Sequence, residues 1–205
     1  MIKLISTNRI FFVLVICWLL IGGFSLAVYG SPQLFLRLRA DLGPITDLIF
    51  RSITELGSAT FSVLVALFLI YRNKRSGLFA SLAMIVATVI THLVKFWVNA
   101  PRPSIFFANT NPIKSIDGVQ LLTEHSFPSG HTTAAFALAC VLTFITVDKR
   151  WSIFYFFMAL MVGFSRIYLG QHFPVDVYAG SLIAVGSCSL VWGAFENRSQ
   201  NYKQY

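Results

Sequence analysis

The chain has 205 residues, of which 56% are apolar and only 12% charged, roughly half the charged share of an average soluble domain. That is too little charge for a water-facing surface and too much apolar content for intrinsic disorder; with 13 Gly, 7 Pro and 3 Cys the chain is neither collagen-like nor a disulfide scaffold. Sixteen basic against eight acidic residues leave a net charge of +8, which in so apolar a chain marks membrane topology or an anionic substrate and not a nucleic-acid partner.

About 20 apolar residues are needed to cross the hydrocarbon core of a bilayer. Residues 10–30 supply the first span, free of charge. A secretory signal is the alternative reading of this stretch. Its apolar run exceeds the roughly 7–15 residues such signals carry, and no small-x-small cleavage site follows. Residues 31–56 are amphipathic. Phe35, Leu38 and Leu42, then Ile45, Ile49, Ile53 and Leu56, recur at helical spacing, and Gly43-Pro44 divides the pattern. One or two interfacial helices are expected there, as cover over the bundle or as a lid or gate for lipid. Residues 57–71, extending back toward 53, form the second span. Residues 78–98 form the third and hold Lys95 near the end. Residues 128–147 form the fourth and carry no charge. Residues 151–170 form the fifth, with Arg166 near the end, and residues 177–195 the sixth. The expectation is an all-α, six-transmembrane helix bundle forming a single membrane domain over 1–205, without internal repeats. Cys17, Cys140 and Cys188 fall inside spans and read as small packing residues, not as disulfides or metal ligands.

The loops alternate in charge. Lys3, Arg9, Arg72, Lys74, Arg75, Lys149, Arg150, Arg198 and Lys203 flank one side; Arg37, Arg39, Arg51, Arg102 and Lys114 flank the other. The positive-inside rule then puts both termini in the cytoplasm.

On that topology Lys95, His131 and Arg166 lie at the outward ends of their spans, and the adjoining loops carry Arg102, Ser129, His172 and Asp176. Ionisable groups at membrane depth are costly without a partner and mark function. A phosphate monoester or diphosphate carries about two negative charges near neutrality, which Lys95, Arg102 and Arg166 would match, the arginines as planar forks. Pro128 suits the first helical position, so Ser129 and Gly130 would open a helix whose free amides point at an anion. Pro174 suits a second helix start. Asp176, four residues after His172, would fix the imidazole tautomer and leave the other nitrogen nucleophilic. Taken singly, each has a plainer reading. Lys95 and Arg166 are then snorkelling ends, His131 a helix-start residue, His172 and Asp176 a structural pair, and Arg102 a turn arginine. His92 and His125 stay outside the set, His92 as a satisfied interior histidine.

Lys95-x6-Arg102-Pro103, Pro128-Ser129-Gly130-His131 and Ser165-Arg166-x5-His172-x3-Asp176 together resemble the three-part signature of the type-2 phosphatidic acid phosphatase superfamily, over residues 95–176. The resemblance implies that His172 attacks phosphorus to give a phosphohistidine. It implies that Asp176 orients His172, and that His131 protonates the leaving oxygen and then activates water. Lys95, Arg102, Ser129, Gly130 and Arg166 would hold the phosphoryl oxygens, and Ser165 would support Arg166 or bond the phosphate. No cofactor or metal is expected, since three cations supply the electrostatics and no carboxylate cluster suits Mg²⁺. The implied substrate is a membrane lipid phosphate or diphosphate, of undecaprenyl diphosphate type or of broad range, at the outward face of a cell membrane. A lipid A phosphatase or a lipid-to-lipid phosphotransferase would use the same site. A vanadate haloperoxidase-like activity and an inactive lipid-binding scaffold are the readings from other classes. The loop 104–127 is expected to set the choice of lipid.

Overall fold

The computed structural model describes residues 1–201; Lys203 lies outside them, as does the side chain of Arg198. Among the described residues all regular structure is helical. A short α1 (Ile2–Thr7) leads into α2 (Arg9–Tyr29), followed by α3 (Ser31–Leu38) and α4 (Pro44–Thr54). A 3-10 turn (Glu55–Gly57) joins α4 to α5 (Ala59–Arg72), and α6 (Lys74–Val98) follows. After α7 (Pro103–Phe106) come α8 (Gly130–Ile145), α9 (Trp151–Tyr168) and α10 (Pro174–Asn201).

Local chemistry sets most of these boundaries. Ser58 caps α5 by accepting from the Phe61 amide, and Asn73 caps α6 by accepting from the Ser76 amide. The α6 helix ends at Asn99 in the left-handed region. The expected break at Gly43-Pro44 separates two helices: Gly43 takes φ +84°, and Pro44 opens α4. Pro174 opens α10 as anticipated. Pro128 does not open α8. The first helical residue is Gly130, and Ser129 is its cap.

The chain is a multi-pass membrane protein. Large apolar side chains point away from the bundle, among them Leu20, Ile21 and Phe24 on α2 and Leu64 and Phe68 on α5. Water would not tolerate such a belt; lipid does. Among the described residues four helices are long and apolar enough to cross by themselves, Arg9–Tyr29, Lys74–Phe106, Trp151–Tyr168 and Pro174–Glu196, so the expected count of six is not matched exactly. A fifth is made only if Pro44–Gly57 and Ala59–Arg72, bent by 51°, act as one. The α8 helix has 16 residues, or about 24 Å of length. Its apolar character serves the bundle interior more than lipid, because Ala135 to Val141 are all buried. It packs against α6, α9 and α10. Lipid gives apolar helices little reason to associate. Small residues such as Ala135, Ala137, Ala139 and Cys140 allow the close backbone approach that packing then stabilises. Cys140 and Cys188 are buried free thiols, whereas Cys17 is exposed on α2 and not the packing residue expected.

By connectivity the loops carrying Arg72 to Arg75 and Lys149 to Arg150 lie at one end of the bundle. The C-terminal ends of α6 and α9 and the N-terminal ends of α8 and α10 meet at the other. There α4 lies along α9. Tyr168 donates its hydroxyl to Asp47 (2.6 Å), and the Phe50 ring sits 4.5 Å from that of Tyr168 and 5.4 Å from that of Phe164.

Candidate active site

The start of α10 and the turn before it build the centre. Asp176 sits in the first turn of α10, and its Oδ2 accepts three hydrogen bonds: from the Phe173 amide (2.9 Å), from the Ser126 hydroxyl, and from Nδ1 of His172 (3.2 Å). All four residues are buried. Because the carboxylate can only accept, Nδ1 carries the proton and Nε2 keeps its lone pair. Burial, then the positive charges of Arg102, Arg166 and Lys95, hold the His172 imidazole well below the ordinary histidine range. The pair is therefore a hydrogen bond between a carboxylate and a neutral ring.

Arg102 enters from the loop after α6. Its Nη1 is 3.2 Å from Nε2 of His172 and donates to the Gln171 carbonyl at 2.8 Å. Its Nε donates to the Glu124 carbonyl at 2.8 Å, and Nη2 reaches the His125 carbonyl at 3.5 Å. Lys95, on the last turn of α6, donates to that same carbonyl at 2.6 Å. Backbone carbonyls thus hold two cations beside one imidazole without neutralising them by any carboxylate of their own.

The opening of α8 forms the facing wall. The Ser129 amide donates to the Asp176 carbonyl at 3.0 Å, which ties α8 to α10. The Ser129 hydroxyl oxygen accepts from the hydroxyl (2.9 Å) and the amide (3.4 Å) of Thr132, so its own proton is left to donate to an anion. Gly130 and His131 carry the first helical amides, which have no intrahelical acceptor. A Cβ on Gly130 would meet the Lys95 chain at 4.0 Å, so cation and amides are neighbours. His131 is half-buried and close enough to Arg166, Arg102 and Lys95 to feel their charges. Arg166, buried near the end of α9, donates from Nη1 to the Thr54 hydroxyl at 2.8 Å, while its Nε has no hydrogen-bond partner among the described residues.

Lys95, Arg102, Ser129, Gly130, His131, Arg166, His172 and Asp176 therefore gather at one end of the bundle. Ser165 is the exception. Its hydroxyl donates to the Val162 carbonyl of its own helix at 2.6 Å, so it presents no donor to an anion. His92 bonds the Thr88 carbonyl one turn earlier and is exposed, not interior. Sequence reasoning passed over Ser126, the His125 carbonyl and Thr54. Ser126 stands two residues before Pro128 and so beside the Pro128–His131 stretch; Thr54 had no local signal at all.

The arrangement can present a neutral, oriented nucleophile to a tetrahedral anion held by cations, two amides and a hydroxyl. Comparison with known proteins gives the family. A model of the PAP2 superfamily matches residues 76–200. The undecaprenyl-diphosphatase BcrC of Bacillus subtilis (strain 168) is 32% identical over 148 residues, covering 69% of this chain and 70% of that protein. The crystal structure of LpxE from Aquifex aeolicus superposes with a TM-score of 0.69 at 30% identity, over 80% of this chain and 94% of that one. A transmembrane PAP2-type phosphatidylglycerolphosphate phosphatase from Bacillus subtilis shares the fold, with a TM-score of 0.62 at 23% identity over 96% of this chain and 98% of its own.

Proposed function

The chain belongs to the PAP2 superfamily, and from that premise we propose that it releases phosphate from a membrane lipid phosphate or diphosphate through a phosphohistidine on His172. The observation that carries the reading is the buried line Asp176–His172–Arg102, with 3.2 Å at each link. It leaves one imidazole nitrogen unprotonated beside a guanidinium that can turn to a phosphoryl oxygen. An undecaprenyl diphosphate-type lipid is the leading substrate, by likeness to the Bacillus relative; lipid A and transfer to a second lipid are the alternatives for the same chemistry.

In the first step Nε2 of His172 forms a bond to phosphorus as the bond to the lipid-side oxygen breaks. His131 gives that oxygen its proton. In the second step His131 takes a proton from water, the water oxygen bonds phosphorus, and the bond to Nε2 breaks to free phosphate. Lys95, Arg102, Arg166, Ser129 and the amides of Gly130 and His131 hold the three equatorial oxygens in both steps. Ser126 and the Phe173 amide keep the Asp176 carboxylate in place. The positive-inside rule supports an outward-facing site with both termini in the cytoplasm, so a lipid head group lies at the depth of the catalytic loops.

Phosphate release across isoprenyl diphosphates, glycerophospholipid phosphates and lipid A tests this function and ranks the substrates. Saturating chelator is expected to leave the wild-type rate intact, and orthovanadate to inhibit by mimicking pentacoordinate phosphorus. A rate that vanishes in chelator and returns with Mg²⁺ refutes the mechanism.

The electrostatics make a second prediction. A histidine whose pKa is depressed keeps its neutral form as pH falls through the ordinary histidine value. Nitrogen NMR of labelled histidine in micelles should therefore find His172 neutral, with its proton on Nδ1, at acidic pH where an ordinary histidine is already charged. A midpoint near the ordinary value would mean that neither burial nor the three cations act on the ring.

A further inference from the structure

The elbow between α4 and α5 lies outside all three signature stretches, yet it touches the site twice. The Thr54 hydroxyl, on a residue 6% exposed, accepts from Nη1 of Arg166. Three residues on, Gly57 lies so close to α8 and α9 that a Cβ there would stand 2.7 Å from the His131 carbonyl oxygen and 2.7 Å from a Val162 methyl.

A guanidinium has one side edge, formed by Nε and Nη2, whose two N–H bonds run parallel and match two oxygens of an anion. In Arg166 the Nη1 end is taken by Thr54, and Nε is buried without a partner. A buried donor left unpaired is costly, and here it lies on the edge that would grip a phosphoryl group. The α4 helix that brings Thr54 is itself fixed on α9 by the Tyr168–Asp47 bond and by Phe50 between Tyr168 and Phe164. The hydroxyl therefore has a defined place from which to hold the arginine.

We infer that Thr54 is a positioning residue: by holding Nη1 of Arg166 it turns the free Nε–Nη2 edge toward two oxygens of the phosphoryl group. This rests on the phosphoryl-transfer reading above. It also gives the amphipathic segment 31–56 a part beyond covering the bundle, since α4 reaches the chemistry through one hydroxyl. The equatorial oxygens gather charge and spread as the bond to phosphorus breaks. Fixing the fork should therefore favour the transition state over bound substrate, with the loss falling on kcat and not KM.

The test compares full-length, detergent-solubilised wild type with Thr54→Val, which keeps the shape without the hydroxyl, and Thr54→Ser, which keeps the hydroxyl. Orthovanadate binding is titrated by calorimetry, and kcat and KM are measured on the best lipid of the panel. Thr54→Val is expected to bind vanadate about tenfold more weakly and to lose about tenfold in kcat, with KM within twofold. Thr54→Ser should restore both. Equal vanadate binding in all three proteins overturns the inference. So does a Ser variant as weak as Val, or a wild type that binds no vanadate. If Thr54→Val melts at the assay temperature, Thr54→Ala supplies the hydroxyl-free arm. If the wild type releases no phosphate from any lipid, the proposed activity fails, and the vanadate titration still decides the role of Thr54.

Discussion

Replacing His172 by alanine is expected to lower phosphate release by about ten-thousand-fold or more, leaving lipid binding within a few-fold of wild type. The separation follows from how the site is held. Arg102 keeps its bonds to the carbonyls of Glu124 and Gln171, and Lys95 keeps its bond to that of His125, when the ring is removed. The anion cradle thus survives the loss of the nucleophile. Water would then have to attack phosphorus directly, with no group beside it as nucleophilic as Nε2. Rapid-quench experiments with lipid labelled in the terminal phosphate check both halves. Wild type should show label on the protein that is stable to alkali and lost in acid, as phosphohistidine is, and the alanine variant should show none. A variant that still turns over at a hundredth of the wild-type rate, or that still takes up label, excludes His172 as nucleophile.

What was legible in the sequence was legible for chemical reasons. Two helix starts and one break depend on residues that act locally. Pro174 opens α10 and Gly43-Pro44 parts α3 from α4 because each constrains its own backbone. Pro128 misled by two residues, since the Ser129 cap and not the proline sets where α8 begins. The convergence of Lys95, Arg102, His131, Arg166, His172 and Asp176 was readable from charges at apolar ends, which alternate faces in a bundle. The span count was legible only approximately. Apolar content alone does not distinguish a helix facing lipid from one sheathed by protein, and α8 is of the second kind. Nor does it show that the segment before α5 enters with a 51° bend. Thr54 and Ser126 were invisible for a deeper reason. A buried hydroxyl that turns one arginine, or steadies one carboxylate, gains its meaning only from partners 112 and 50 residues away.

Asp176→Asn tests the tautomer argument at the cost of one atom, and its expected loss is nearly as large as that of the nucleophile. The carboxylate Oδ2 now takes the proton of Nδ1, the Phe173 amide and the Ser126 hydroxyl. The asparagine side chain either keeps its oxygen in that one place, a neutral and weaker acceptor for all three donors, or sets its NH₂ group there, facing the ring together with the Phe173 amide and the Ser126 hydroxyl. If the NH₂ group donates to Nδ1, the ring proton moves to Nε2. There it meets Nη1 of Arg102, also a donor, at 3.2 Å. Two donors face each other, and the lone pair needed for attack is gone. The carboxylate also balances the positive charge that His172 gains when Nε2 bonds phosphorus, so its loss raises the barrier even in molecules with the right tautomer. Analogous removal of a carboxylate behind a catalytic imidazole costs about ten-thousand-fold in kcat in the serine proteases, and a loss of about a thousandfold or more is expected here. KM should change little, since Asp176 is not one of the groups proposed to hold the phosphoryl oxygens. Nitrogen NMR of labelled histidine should show a fraction of the His172 proton on Nε2 in the variant, set by how the amide is turned. An asparagine variant within tenfold of wild type removes the reason for placing a carboxylate behind this histidine.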